Sequence, residues 1–231
     1  MSNSSSKLNQ ERTTGFQLLV FVLLVAPFFL NDFASIYIKE WTLWLFIDYV
    51  GVKLFPIIVI VWLIRSNKML ATEFGIKSQN IGAFLVIFLI VALIGTIIDQ
   101  NGYPLISKLP GYSPLGGMPA IKSPTWDWID LTLGLLLVGI VEELVFRGYM
   151  HTFLNRYTKR LSVIVAISSI IFGLIHWSLG LHAVLITTII GAVFMIAYIK
   201  TRALPPIMLA HFAVNFIDFA GVIPKSIFKI T

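Results

Sequence analysis

Three charged side chains lie within one and a half helical turns of one apolar segment of this chain: Glu142, Glu143 and Arg147. At about 100° per residue, Glu143 and Arg147 share one face of a helix and are predicted to form an ion pair, whereas Glu142 points about 140° away from Arg147. Facing lipid unpaired, three charges would cost roughly 8–10 kcal/mol, so they must face protein or water. Glu142 has no local cation and suits proton transfer, although a purely structural cluster fits this segment equally well.

Imidazole and amide groups occur in two further apolar segments. His176 lies near the end of one, and in the other His211 is followed at i+4, on the same helical face, by Asn215. Counted from the basic turn at 157–160, Glu142 lies 15 residues before it and His176 lies 16 residues after it, so antiparallel helices would place both at one depth. We therefore expect them to share a site. His211 lies nine residues after Arg202 of its own basic turn, which predicts a shallower position unless the hairpin of the fourth and fifth segments protrudes into the cytoplasm by about a turn.

The elements that carry these residues are predicted to be membrane helices. Hydrophobic residues make up 58% of the 231 positions and charged residues 12%, which excludes an ordinary water-soluble domain. The predicted fold is all-α, a polytopic bundle of about seven transmembrane helices, although Asp48, Lys53 and Pro56 interrupt the second. Most of the apolar segments approach the ~20 residues that cross a bilayer; they are 16–34, 41–64, 81–98, 129–149, 161–177, 181–199 and 204–223.

The predicted domain organisation follows these segments. Residues 1–15 are polar and are expected to form a disordered cytoplasmic tail, and 16–98 contain transmembrane helices 1–3. The Gly- and Pro-rich stretch 99–127 is predicted to be an outer loop. The last four helices, within 128–223, contain every candidate functional residue, and 224–231 form a second tail.

The net charge of +6 is better explained by membrane topology than by nucleic acid. With the N-terminus inside, the inside segments hold ten of the seventeen basic residues, and each inside loop is more basic than the outside loops next to it. We therefore expect an integral multi-pass protein with its N-terminus inside, in the cytoplasmic membrane of a prokaryote. The lipid bilayer is the expected partner, and no nucleic acid is expected.

Three motifs, in this order along the last four helices, carry a family resemblance. They are Glu-Glu-x-x-x-Arg, Phe-x-x-x-His and His-x-x-x-Asn, and they resemble the CPBP family of intramembrane proteases, also called the CAAX protease and bacteriocin-processing (Abi) family, which includes the type II CAAX prenyl endopeptidases. The resemblance covers about 126–220 and implies cleavage of a peptide bond close to or within the membrane. The site residues it implies are Glu142, His176, His211 and Asn215, with Glu143, Arg147 and Phe172 supporting them.

The chemistry of these residues agrees with peptide hydrolysis. Glu142, assisted by His176, can take a proton from water, while His211 and Asn215 can donate hydrogen bonds to the oxyanion. Alternatively, Glu142, His176 and His211 could bind zinc, and the metal would activate the water. The metal-free mechanism, without a cofactor, is favoured because the sequence has no His-Glu-x-x-His and because Asn215 suits hydrogen bonding better than coordination. The implied substrate is a membrane-bound peptide or protein; family substrates include prenylated C-termini, peptide pheromones and bacteriocin precursors.

Other function classes fit the sequence less well. The chain has no cysteine nucleophile, and neither Ser168 nor Ser169 lies in a Gly-x-Ser-Gly-like setting. A transporter would predict inverted repeats, and no such symmetry is visible. A membrane scaffold or immunity protein that keeps these residues without catalytic turnover stays an alternative function.

Overall fold

The computed structural model describes residues 2–221 and 223–228. Within these residues the fold is all-α, as predicted, and contains no strand. Seven helices are formed there: α1 (Ser2–Tyr37), α2 (Trp41–Arg65), α3 (Ile81–Ile106), α4 (124–154), α5 (Leu161–Leu174), α6 (Leu181–Thr201) and α7 (Leu204–Ala220). Short 3₁₀ turns cover Ala71–Phe74, Trp177–Leu179 and Lys225–Phe228.

Four of the helices are long and apolar enough to cross a membrane. They are α1 from Thr14 onward, α2, α3 and α6. Two further apolar helices, α5 and α7, have 14 and 17 residues and are shorter. These lengths support a multi-pass membrane protein, and a full crossing by each of the seven helices stays a prediction.

Two helix boundaries differ from those expected. α1 begins at Ser2, so the helix includes most of the stretch 1–15 for which a disordered tail was predicted. That stretch has no proline, its only glycine is Gly15, and it contains Lys, Gln, Glu and Arg, which favour helix. α3 continues to Ile106 and α4 begins at Pro124, so the connection between them is 107–123, shorter than the predicted outer loop 99–127.

Polar side chains at the end of α3 explain its extra length. The amide of Asn101 donates to the carbonyl oxygen of Ile97 one turn earlier, at 2.7 Å. The amide of Gln100 donates to Asp218 Oδ1 on α7, at 3.1 Å. These polar groups thus have partners within the helix or on α7, so the helix continues past the apolar segment that ends at Ile98.

The interruption predicted in the second segment is accommodated inside a continuous helix. Asp48–Leu54 forms a π-helical stretch of α2, where Lys53 is 3% exposed and pairs with Asp48. Lys53 Nζ also lies 3.4 Å from Asp130 Oδ1, in a π-helical stretch of α4, and Tyr49 donates to the same carboxylate. Each buried charge therefore has an opposite charge beside it, and the pairs join α2 to α4.

Close backbone contacts set the positions of the last four helices. A Cβ atom at Gly139 of α4 would lie 2.8 Å from the carbonyl oxygen of Met208 on α7. A Cβ atom at Gly173 of α5 would overlap Thr188 Oγ1 on α6. Glycine at both places lets neighbouring helices approach closely, which brings the polar residues of α4, α5 and α7 together.

We predict that Lys53→Met lowers the free energy of unfolding by about 3–5 kcal/mol, because it leaves the buried carboxylate of Asp48 and the partly buried carboxylate of Asp130 without their cation. The measurement is unfolding in detergent micelles, followed by heat and denaturant. Lys108→Met, which removes a lysine from an exposed position in the connection after α3, is the matched control. Equal stability of the two variants would contradict the pairing.

Candidate active site

The centre of the site is a completely buried ion pair on α4. Arg147 and Glu143 are both 0% exposed, and Arg147 Nε lies 3.1 Å from Glu143 Oε2. The guanidinium carbon also lies 4.1 Å from the ring centre of Phe172 on α5 and 5.4 Å from that of Phe194 on α6. The predicted i,i+4 pair is confirmed, and cation–π contacts fix the arginine between two neighbouring helices.

The second oxygen of Glu143 holds a histidine from α7. His211 Nδ1 lies 2.8 Å from Glu143 Oε1, and His211 is 6% exposed. A carboxylate can only accept, so Nδ1 carries the hydrogen and Nε2 points away from Glu143. The imidazole therefore lies at the same depth as the carboxylates of α4. His211 does not lie at the shallower depth that counting residues from its basic turn predicted.

Glu142 lies on the other side of the His211 ring. Its Oε2 atom is 3.6 Å from His211 Nε2, which is an electrostatic contact and too long for a hydrogen bond. This oxygen is buried, and no hydrogen-bond partner for it exists among the described residues. Glu143 Oε2 also makes no hydrogen bond, but it lies beside Arg147. Glu142 thus differs from Glu143 in its charged neighbours, as predicted: Glu143 contacts both Arg147 and His211 closely, whereas Glu142 has the longer contact to His211.

His176 is fixed by the last turn of α5. Its Nδ1 atom lies 3.0 Å from the carbonyl oxygen of Phe172, so Nδ1 donates and Nε2 is left for another partner. The Phe172 ring contacts the His176 ring at 5.3 Å and the His211 ring at 6.0 Å between centres. Phe172 therefore lies against both imidazoles, but no hydrogen bond or ion pair links His176 directly to Glu142 in the part of the chain that the structure describes.

Asn215 lies one turn beyond His211 on α7 and is half-buried. Its side chain makes no hydrogen bond within 2–221 or 223–228, so both amide donors are available. The structure therefore places Asn215 on the same helical face as His211 without bonding it to another predicted site residue.

The zinc alternative can be tested against the arrangement of its three ligands. The Nδ1 hydrogen bonds of His176 and His211 leave both Nε2 atoms unprotonated in the neutral rings, as zinc-binding histidines require. However, no group of three His, Asp or Glu side chains in the described residues is arranged to hold a metal ion. Glu142, His176 and His211 are thus not grouped as three zinc ligands in this arrangement, and the metal-free mechanism stays a proposal.

Asp32 of α1 supports the site and was not identified from the sequence. Its Oδ2 atom accepts a hydrogen bond from the backbone N–H of Ser178, at 2.7 Å, in the 3₁₀ turn directly after His176. Asp32 is 9% exposed. An aspartate near the end of an apolar segment was the available signal, but the sequence does not show which distant backbone group it would bind.

The connection 107–123 is attached to the same turn. Tyr112 donates through its hydroxyl to the carbonyl oxygen of Trp177, at 2.9 Å, and Leu115 N donates to Ser178 O, at 2.7 Å. The ring of Trp177 packs on Phe33 of α1, with centres 4.9 Å apart. Residues outside the last four helices thus hold the backbone that follows His176.

The comparison with protein families identifies the part of the chain that contains these residues. Residues 124–217 match the model described as type II CAAX prenyl endopeptidase Rce1-like. These residues form a domain of the Rce1-like family. The domain contains Glu142, His176, His211 and Asn215, and it confirms the resemblance carried by the three motifs. A domain of this family at residues 124–217 implies an intramembrane protease. Neither the curated proteins nor the solved structures contain a match to the chain.

We predict that Asp32→Ala loosens the turn after His176, because the buried N–H of Ser178 loses its acceptor at a cost of about 1–3 kcal/mol. Amide hydrogen exchange of the peptide covering 176–181 should become roughly 5- to 150-fold faster. Asp32→Asn keeps an acceptor oxygen and should exchange nearly as the parent does. Asp127→Ala, at an exposed aspartate of the Rce1-like domain, is the control. Unchanged exchange in Asp32→Ala would show that the contact does not hold the turn.

Proposed function

We propose that this protein is an intramembrane endopeptidase that cleaves a membrane-associated peptide or protein with water activated by Glu142. The supporting observation is the buried, unpartnered Oε2 atom of Glu142 beside His211, in a site where the other carboxylate is already paired. A general base needs an oxygen that is free to take a proton. Glu143 Oε2 also lacks a hydrogen bond but lies 3.1 Å from the Arg147 guanidinium, whereas the nearest ion-pair contact of Glu142 Oε2 is His211 Nε2, at 3.6 Å. The proposed substrate class is taken from the family resemblance: a protein with a prenylated C-terminus or a peptide precursor.

In the proposed reaction, a water molecule hydrogen-bonded to Glu142 gives its proton to the carboxylate. The water oxygen bonds to the carbonyl carbon of the scissile peptide, and the carbonyl electron pair moves onto oxygen. Collapse of this tetrahedral species breaks the C–N bond, and the leaving nitrogen takes the proton from Glu142. His176 orients the water, because its Nε2 is left to accept the second hydrogen while Nδ1 donates to the Phe172 carbonyl.

The oxyanion is proposed to bind between Asn215 and His211. The amide of Asn215 donates at any working pH, since it does not titrate. His211 donates through Nε2 only when its ring carries both protons, because Nδ1 already donates to Glu143. The doubly protonated ring would lie between the carboxylates of Glu142 and Glu143, which balance its charge.

The Glu143–Arg147 pair is proposed to position the site rather than to react. Arg147 compensates the charge of Glu143 in the interior, and Glu143 fixes the orientation of the His211 ring. Both residues are completely buried, so neither is available to a substrate. The placement of seven transmembrane helices with the N-terminus inside belongs to the same proposal and would put the connection 107–123, together with the turn after His176, on the outer side.

We predict that Glu142→Gln abolishes cleavage, with a loss of about 10²–10⁴-fold, because the amide cannot accept the proton of the attacking water. The measurement compares the membrane peptides and proteins of cells that express the parent or the variant. A substrate should accumulate uncut in the variant. The purified variant should unfold at the parent's temperature or above, since the change removes a buried carboxylate.

Glu40→Gln is the matched control, because it makes the same chemical change at an exposed glutamate before α2. It should give the parent's profile. A Glu142→Gln profile that equals the parent's under several growth conditions would contradict the protease proposal. That result would instead favour the scaffold or immunity role.

We predict that purified protein cleaves the accumulated substrate without zinc. Metal analysis should give far less than one zinc per chain, and a strong chelator should leave the rate unchanged, because no three-ligand arrangement holds a metal in the described residues. One zinc per chain, together with a loss of activity that added zinc restores, would establish the zinc mechanism instead.

A further inference from the structure

A cavity lies at the end of the bundle where the apolar part of α1 begins and where α2 and α4 end. Its volume is about 320 Å³, and its lining includes Gln17 of α1, Lys68 after α2, and Thr152 and Arg156 near the end of α4. None of the four proposed catalytic residues lines it. Tyr149, which forms part of the wall, donates its hydroxyl to the carbonyl oxygen of Gln17 at 2.9 Å and closes the cavity on one side.

The charges around this cavity have one sign. Lys68 and Arg156 are both exposed, and neither has an ion-pair partner in the described part of the chain. No Asp or Glu belongs to the described lining. Lys68 Nζ lies 5.8 Å from the ring centre of Phe16, so the cation is positioned at the border between the polar and apolar parts of the cavity. An anion with an apolar portion complements this surface.

An apolar groove continues from the cavity along α1 and α2. It has a volume of about 270 Å³ and shares Phe16 and Val20 with the cavity. The remaining lining is entirely hydrophobic and includes Leu19, Ile58 and Trp62, which are 56%, 64% and 49% exposed. The groove is therefore open to the lipid side, with the two cations near one of its ends.

We propose that the cavity and groove together bind one anionic phospholipid. The phosphate lies between Lys68 and Arg156, and an acyl chain follows the groove past Leu19 and Ile58. A cation next to an anionic headgroup is worth about fivefold in affinity, so the pair selects an anionic lipid over a neutral one. A basic cavity between membrane helices on the more basic side of the protein is a suitable place for such a headgroup.

The test is lipid binding to the full chain, purified in a neutral detergent. Phosphatidylglycerol and phosphatidylcholine with the same acyl chains are titrated, and bound lipid is counted by native mass spectrometry while the unfolding temperature is followed. Phosphatidylglycerol should bind more tightly and raise the unfolding temperature further. The double variant Lys68→Gln/Arg156→Gln should bind it roughly 25-fold more weakly, at about fivefold for each cation.

Lys159→Gln/Arg160→Gln is the matched control, because it removes two exposed cations near the end of α4 that do not line the cavity. It should keep the parent's preference for phosphatidylglycerol. The water-soluble headgroup glycerophosphoglycerol should not compete, since the acyl chain supplies the contacts in the groove. Both double variants should match the parent's unfolding temperature in lipid-free detergent, because the residues changed are exposed.

Three results would overturn the proposal. The first is equal binding of the two lipids, and the second is a phosphatidylglycerol preference that survives Lys68→Gln/Arg156→Gln. The third is effective competition by the headgroup alone, which would identify a simple anion site. A double variant that binds lipid normally but raises KM for a cleaved peptide would instead identify the cavity as a peptide-binding surface. None of these results bears on Glu142, so the proposal can fail while the protease proposal stands.

Discussion

The cost of placing charge in a membrane interior is the constraint from which the rest of this structure follows. Arg147 cannot face lipid, so it is enclosed by Glu143 and by the rings of Phe172 and Phe194. Glu143 then uses its second oxygen to bind His211. One arginine thus determines how α4, α5, α6 and α7 face each other, and the close contact at Gly139 allows α7 to come near enough.

This arrangement gives two adjacent carboxylates different surroundings. The two oxygens of Glu143 lie 3.1 Å from Arg147 and 2.8 Å from His211, whereas Glu142 Oε2 is 3.6 Å from His211 Nε2 and makes no hydrogen bond in the described residues. Support also comes from outside the Rce1-like domain. Asp32 and the connection 107–123 bind the turn after His176, and the Lys53 cluster joins α2 to α4. The N-terminal helices therefore form part of the frame that holds the site.

The sequence predicted the contacts that form between residues one turn apart on the same helix. The pairing of Glu143 with Arg147 follows from four-residue spacing, and the three motifs pointed to the helices that carry the candidate site. The sequence did not predict that His211 would lie between the two glutamates, because that depends on the axial position of α7 relative to α4. The partner of Asp32 could not be predicted either, since a carboxylate that binds a backbone N–H 146 residues away leaves no local pattern in the sequence.

The most direct test of the central claim concerns the proton on His211. Solid-state NMR of protein with ¹⁵N-labelled histidine and ¹³C-labelled glutamate, in lipid bilayers, reports whether Nδ1 carries a proton and whether it contacts a carboxylate carbon. We expect a protonated Nδ1 on His211 in dipolar contact with Glu143, a contact that Glu143→Ala removes. A His211 ring with a bare Nδ1, or one without any carboxylate contact, would contradict the account.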